Sequence, residues 1–220
     1  TTACNGWDES GNCVSLSVSN GKGVIIKGTL YSGCKWNWTN VTDPDISSPV
    51  VQYLNALDFA SSSFGYAGGG RMLFYNGTNW IINGTAFGID NIDLFSSSQG
   101  FAIGVPPTGT LHNRLSLRTG FGVTQPWDIV YTNNGEADGD DIKFASNDIE
   151  YVNSSLAFAV GDYGLILKWD SSQSPTFSVV RYYYTSDYYD IDFYNKTLGF
   201  IVGTYGRIVK WNGTDWFDDI

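Results

Sequence analysis

The 220 residues include 22 Asp or Glu, 12 Lys or Arg and one His, a formal net charge of −10. Nucleic acid and anionic lipid both require a basic patch, so this balance argues against either as partner. No apolar run approaches the ~20 residues of a membrane-spanning helix, and 13 Phe, 14 Tyr, 8 Trp and 26 Gly point to an all-β chain rather than to disorder.

Taken in chain order, residues 1–13 read as an N-terminal arm. Thr1–Cys4 has neither the basic nor the apolar region of a leader peptide, so any such leader is expected to be gone already. Cys4, Cys13 and Cys34 suggest one disulfide of an oxidising compartment, either Cys4–Cys13 or Cys13–Cys34, with one thiol left over. From residue 14 the chain alternates as a strand (Val14-Ser15-Leu16-Ser17-Val18), turns at Asn20-Gly21 and runs on through Val24–Gly28, with Trp36 and Trp38 beyond. This is read as the first and second strands of a degraded first repeat.

Four clearer repeats follow. They open on Leu57-Asp58-Phe59, Ile92-Asp93-Leu94, Ile149-Glu150-Tyr151 and Ile191-Asp192-Phe193. An apolar stretch then leads to Gly68, Gly104, Gly161 or Gly203, and a second glycine follows at Gly70, Gly109, Gly164 or Gly206. Two units close alike, on Tyr75-Asn76-Gly77-Thr78-Asn79-Trp80 and Trp211-Asn212-Gly213-Thr214-Asp215-Trp216. From Gly28 through the four first glycines the steps are 40, 36, 57 and 42 residues. Each unit reads as four short strands joined by turns, the sequence form of a β-propeller blade. The expected fold is therefore an all-β propeller, five blades of four antiparallel strands over residues 14–220. Residues 1–13 would either complete a blade or add a strand to a neighbouring subunit.

The pattern apolar-acidic-apolar, Gly-flanked apolar core, Gly-x-apolar and closing Trp resembles the bacterial neuraminidase repeat and photosystem II assembly-factor-like propellers. In those repeats an Asp-box-like hairpin precedes the closing Trp; here Asn-Gly-Thr-x-Trp stands in its place. The resemblance covers residues 57–216 well and 14–38 poorly, and it implies a fold that hosts assembly factors, lectins, adhesins and glycosidases.

Seven Asn-x-Ser/Thr sequons occur, at Asn37, Asn40, Asn76, Asn83, Asn153, Asn195 and Asn212. N-linked glycosylation in an extracellular or cell-surface setting is the reading, with plain turn chemistry as its competitor. First and third turns of a blade share one end. Asn153 and Asn195 fall in first turns and Asn76 and Asn212 in third turns, so their glycans are expected on one face. The other face would gather the second turns and the connections between blades. There Tyr182, Tyr183, Tyr184, Asp187, Tyr188, Tyr189 and Asp190, with Tyr163, Tyr205, Arg71 and Arg207, are candidates for gripping a glycan or protein. The competing reading packs alternate Tyr residues between blades.

Asp58, Asp93, Glu150 and Asp192 hold one repeat position and form a candidate Ca²⁺ ring, since Ca²⁺ prefers oxygen ligands. Alternatively, each accepts backbone N–H bonds from a neighbouring strand. No other cofactor is expected. Phosphate-loop, zinc-protease and nucleophile-elbow motifs are missing, and the single His112, at a repeat position otherwise apolar, weakens any Ser-His or Cys-His mechanism. A sialidase-like glycosidase using Arg71 and Arg207 is the enzymatic alternative. The favoured function is non-enzymatic: a scaffold propeller that self-associates or binds a surface partner, as the repeating subunit of a glycosylated filament or layer. A lectin- or adhesin-like propeller is the alternative.

Overall fold

The computed structural model describes residues 6–7, 13–19, 22–31, 35–40, 54–83, 88–105, 114–119, 128–132, 146–172, 177–181 and 186–219; side chains are described for 54–83, 88–104, 146–172, 177–180 and 186–219. Cys4, Cys34 and Tyr182–Tyr184 lie outside the described residues, and Cys13, Asn37 and Asn40 outside the described side chains.

Among the described residues the chain forms five four-stranded antiparallel sheets, with the strands of each in sequence order. The first is β1 (Gly6–Trp7), β2 (Cys13–Ser19), β3 (Lys22–Tyr31) and β4 (Lys35–Asn40). The second is β5 (Leu54–Ser61), β6 (Phe64–Gly69), β7 (Leu73–Tyr75) and β8 (Trp80–Ile82). The third is β9 (Gly88–Ser96), β10 (Gln99–Val105), β11 (Arg114–Thr119) and β12 (Asp128–Thr132). The fourth is β13 (Ser146–Asn153), β14 (Leu156–Gly161), β15 (Leu165–Asp170) and β16 (Ser178–Arg181). The fifth is β17 (Tyr188–Asn195), β18 (Leu198–Gly203), β19 (Ile208–Trp211) and β20 (Trp216–Asp218). Among these residues no helix is long and apolar enough to cross a membrane.

The chain divides into two compact units, residues Thr1–Gly100 with Arg118–Pro126, and Phe101–Leu117 with Trp127–Ile220. In the first unit, the segment expected to open the first repeat is the second strand of its sheet. Gly6 and Trp7 pair with Val14 and Cys13 of the same chain and form the first strand. The long strand β3 carries ladders on both sides, to β2 and to β4, which fixes it as the third. In the second sheet, Leu54, Leu57, Ala67, Leu73 and Trp80 make a core against which Phe59 and Tyr75 pack. Two polar bonds then tie β5 to β9. The Leu94 N–H donates to Asp58 Oδ2 at 2.6 Å, and Asn55 Nδ2 donates to the Ile89 carbonyl at 3.4 Å.

In the second unit the fourth sheet is buried on both faces. One face, with Ile149, Tyr151, Ala157, Ala159, Leu165, Leu167 and Trp169, packs with Phe101, Ile103 and Phe177. The Phe101 ring stacks on Tyr151 at 4.9 Å and meets Trp169 edge-on at 5.2 Å. The other face, with Phe158, Val160 and Ile166, packs with Tyr188, Ile191, Ile201, Val209, Trp211 and Trp216. Burying each of these larger side chains stabilises the fold by roughly 1.5–3 kcal/mol, and a well-set aromatic pair adds about 0.5–1.5 kcal/mol. The Trp residues that close the repeats, Trp80, Trp169, Trp211 and Trp216, are all core.

The first turns share one device. Ser61, Ser96, Asn153 and Asn195 each present a side-chain oxygen to the backbone N–H two residues on, at 2.8–3.3 Å. In the third turns Asn76 Oδ1 takes the N–H groups of Thr78 and Asn79, and Asn212 Oδ1 those of Thr214 and Asp215. Gly77 (φ +93°) and Gly213 (φ +98°) allow those turns; a Cβ on Gly213 would also press Thr197, so the first and third turns of the fifth sheet touch.

Candidate functional site: the tyrosine-bearing turns

The second turns of the fourth and fifth sheets are built alike. Asp162-Tyr163-Gly164-Leu165 and Thr204-Tyr205-Gly206-Arg207 each close with the last N–H donating to the first carbonyl. Both central residues have positive φ: Tyr163 +56°, Gly164 +69°, Tyr205 +59°, Gly206 +71°. This is the I′ hairpin geometry, whose first central position is ordinarily Asn, Asp or Gly. A Tyr there is held in the left-handed region at a cost of about 1–2 kcal/mol. Tyr163 and Tyr205 are the only non-glycine residues with positive φ among the described ones, and they are 46% and 94% exposed. The strain therefore serves no burial; it presents a ring to solvent.

Asp187, just ahead of β17, fastens the two turns together. Its Oδ1 accepts the Tyr163 N–H at 2.9 Å, its own N–H donates to Thr204 Oγ1 at 2.9 Å, and its carbonyl accepts the Thr204 N–H at 2.9 Å. Asn147 adds a second tie, donating from Nδ2 to Asp162 Oδ1 at 3.0 Å and to the Tyr188 carbonyl at 2.7 Å. Tyr189, exposed, holds in the fifth sheet the repeat position that Asn147 holds in the fourth.

Asp148 lies beneath these turns and is buried. Its Oδ1 accepts the Ile149 N–H at 2.9 Å and its Oδ2 the Ile191 N–H at 2.8 Å. Burial, then the hydrogen bond and charge of Asp190, push its carboxyl up to about 8 against the pull of those two N–H groups. It is a neutral structural acid at moderate pH, donating to Asp190. Burial likewise raises Asp58, opposed by the Leu94 and Phe59 N–H groups, and Asp90, opposed by Asn55.

The other sequence candidates fall into place one by one. Tyr188 is a correction: it is fully buried against Ile191, Ile201 and Phe158 and offers no surface to a ligand. Asp187, Tyr189, Asp190, Tyr163 and Tyr205 do sit at or beside the second turns. Arg207 is half-buried and bound, through Nε and Nη2 to Asp218 Oδ1 at 3.2 and 3.0 Å and through Nη1 to Ser186 at 3.2 Å. Arg71 is half-buried in the second turn of the second sheet, its carbonyl taking the Gly69 N–H. Asp58 spends its carboxylate on a backbone N–H, as the competing reading had it, and no group of three His, Cys, Asp or Glu suited to a metal exists among the described residues. Of the described sequons, Asn83 alone uses its amide nitrogen in a bond seen here, Nδ2 donating to the Tyr66 hydroxyl at 3.3 Å. Asn147 and the I′ geometry escaped the sequence reading; Tyr-Gly repeated at both second turns was the available signal.

The sequence matches no protein-family model and no curated protein. Solved structures do superpose. YCF48 from Cyanidioschyzon merolae matches with a TM-score of 0.62 at 13% identity over 92% of this chain and 64% of its own. The WD40 β-propeller domain of Doa1 gives 0.62 at 11% over 100% and 68%. The GH74 enzyme of Niastella koreensis gives 0.64 at 12% over 97% and 37%. This chain thus spans less than two thirds of the YCF48 structure it resembles. Repeats, sheet topology and these superpositions together make the chain a β-propeller repeat protein.

Proposed function

We propose that the chain is a non-enzymatic scaffold that grips a protein partner through the turns bearing Tyr163 and Tyr205. The carrying observation is the pair of exposed rings held at strained, I′ positions and locked to one another by Asp187. A rigid Tyr supplies contact area at little entropic cost, as in antibody paratopes. The structure of YCF48 bound to D1 peptide, 18% identical with a TM-score of 0.57, supports a protein partner for this fold. The non-enzymatic reading draws on Arg207, occupied by Asp218 and Ser186, and on Asp148, whose oxygens face backbone. A displayed peptide library and a glycan array, each probed with the wild type and a Tyr163→Ala/Tyr205→Ala double variant, test it. Peptides retained by the wild type and lost by the variant support it. Equal retention overturns it, and retention of glycans alone moves the partner to sugar.

A second reading, the glycosylated repeating subunit of an extracellular filament or layer, is favoured by the sequons. Asn76, Asn195 and Asn212 stand exposed in first or third turns, at the sheet ends opposite the second turns. Glycans there would leave the Tyr end clear.

A further inference from the structure

The two tyrosine turns carry acid beside the rings. Asp162 opens the turn that holds Tyr163, and Asp187 lies between that turn and the one that holds Tyr205. Each carboxylate is steered by one oxygen. Asp162 Oδ1 takes the Asn147 amide at 3.0 Å, and Asp187 Oδ1 takes the Tyr163 N–H at 2.9 Å. Neither Oδ2 has a bond among the described residues, so each acid keeps an oxygen for another donor. Cations are scarce at this end. Among the described side chains of the fourth and fifth sheets, Lys168, Lys196 and Lys210 stand toward the first and third turns. Arg207 alone stands at a second turn, and its guanidinium is engaged by Asp218 and Ser186. All these groups belong to the second compact unit, so their arrangement is internal to it.

We propose, resting on the Tyr-turn reading above, that these turns take an arginine-bearing segment of the protein partner. A cation is drawn to an aromatic face and to a carboxylate alike. A guanidinium answers both in one group: its plane lies over a ring while its N–H fork reaches an acid. An ammonium is a point charge, more strongly hydrated, and does not stack. A neutral apolar segment would cover the two acids without pairing them, and an acidic one would be repelled. The formal charge of −10 draws a basic partner from a distance, and the turns then select within it.

The experiment measures the fluorescence anisotropy of labelled hexaarginine, hexalysine and hexaglutamate against the full chain at about 0.15 M salt. Hexaarginine should bind at least about threefold tighter than hexalysine, and hexaglutamate should not bind. Tyr205→Asn removes the ring and suits the turn, so it should fold and weaken hexaarginine about two- to fivefold. Asp187→Asn removes the charge, keeps Oδ1 for the Tyr163 N–H, and should weaken it at least about threefold. Asp215→Asn makes the same change of charge in the third turn of the fifth sheet, where Asp215 is exposed, and should leave binding unaltered. Thermal melting confirms that each variant folds. Equal binding of the two cationic peptides would overturn the proposal. So would equal effects of the two Asp variants, or no effect of Tyr205→Asn, because net charge alone would then account for the binding. The displayed peptide library keeps the two readings apart. Peptides that need Tyr163 and Tyr205 yet lack arginine overturn the arginine alone, whereas the absence of any Tyr-dependent peptide overturns both.

Discussion

The Asp187 carboxylate accepts the backbone N–H of Tyr163 at 2.9 Å, across 24 residues of chain and from one sheet to the next. That bond holds an aromatic residue where a hairpin ordinarily places Asn or Gly. If the strain is kept for binding, removing it should raise stability and lower affinity together. Tyr205→Gly loses no packing, since the ring is 94% exposed. Relief of about 1–2 kcal/mol less a glycine entropy cost of about 0.5–1 kcal/mol predicts a gain between zero and about 1.5 kcal/mol. Urea melts measure it; a loss of 1 kcal/mol or more would contradict a strained turn.

The raised carboxyl of Asp148 makes stability depend on pH. With its folded value near 8 and the ordinary carboxyl value at 3.8, the folded protein holds an extra proton between them. Stability from this group is full below about pH 4, falls as pH rises, and is gone above the folded value. Asp148→Asn mimics the protonated form and keeps an acceptor for the Ile191 N–H. Its melting temperature should change less than the wild type's between pH 5 and 8, and the two curves should part most at the alkaline end. Parallel curves would deny Asp148 the role.

Gly203 shows a purely steric constraint. Its φ of −157° suits any residue, but a Cβ there would lie 2.3 Å from the Asp187 carbonyl oxygen. That carbonyl takes the Thr204 N–H, so displacing it loosens the clamp on both Tyr turns. Gly203→Ala should cost about 1–3 kcal/mol. It should also weaken partner binding although the residue touches no partner, a combination that denaturant melts and the binding assay read separately.

The sequons separate by which atom of Asn is engaged. In Asn153 and Asn195 the Oδ1 accepts the N–H and the hydroxyl of the Ser or Thr two residues on, so the sequon pattern coincides with the turn's own chemistry. Asp170 does the same with Ser172 and is no sequon. Asn195→Asp should preserve stability in unglycosylated protein, whereas Asn195→Ala should lose about 1 kcal/mol. In native material, glycopeptide mass spectrometry should find Asn76, Asn153, Asn195 and Asn212 modified and Asn83, bonded through Nδ2 to Tyr66, unmodified. A glycan on Asn83 would count against that selection.

Much of this architecture was legible as periodicity. The apolar-acidic-apolar openings became β5, β9, β13 and β17, and the closing Trp residues became core, because a strand's alternation and a hairpin's turn residues are local properties. The first sheet was misphased because Gly6-Trp7 is too short to show alternation. Tyr188 was misplaced for a different reason. Counting back from buried Ile191 by twos puts Tyr189 inside and Tyr188 outside. A register shift between Tyr188 and Asp190 reverses that, burying Tyr188 and exposing Tyr189 and Asp190.

The sequence by itself thus determined which residues form strands and turns and that the units are equivalent. Only the tertiary structure decided what equivalent residues do. Phe158 and Phe200 read identically along the chain, yet the first is fully buried against the fifth sheet and the second is 37% exposed. Tyr163 and Asp187 lie 24 residues apart and meet only when two blades pack. Pattern is set by local backbone geometry, whereas exposure, carboxyl charge and stored strain depend on neighbours brought close by the fold.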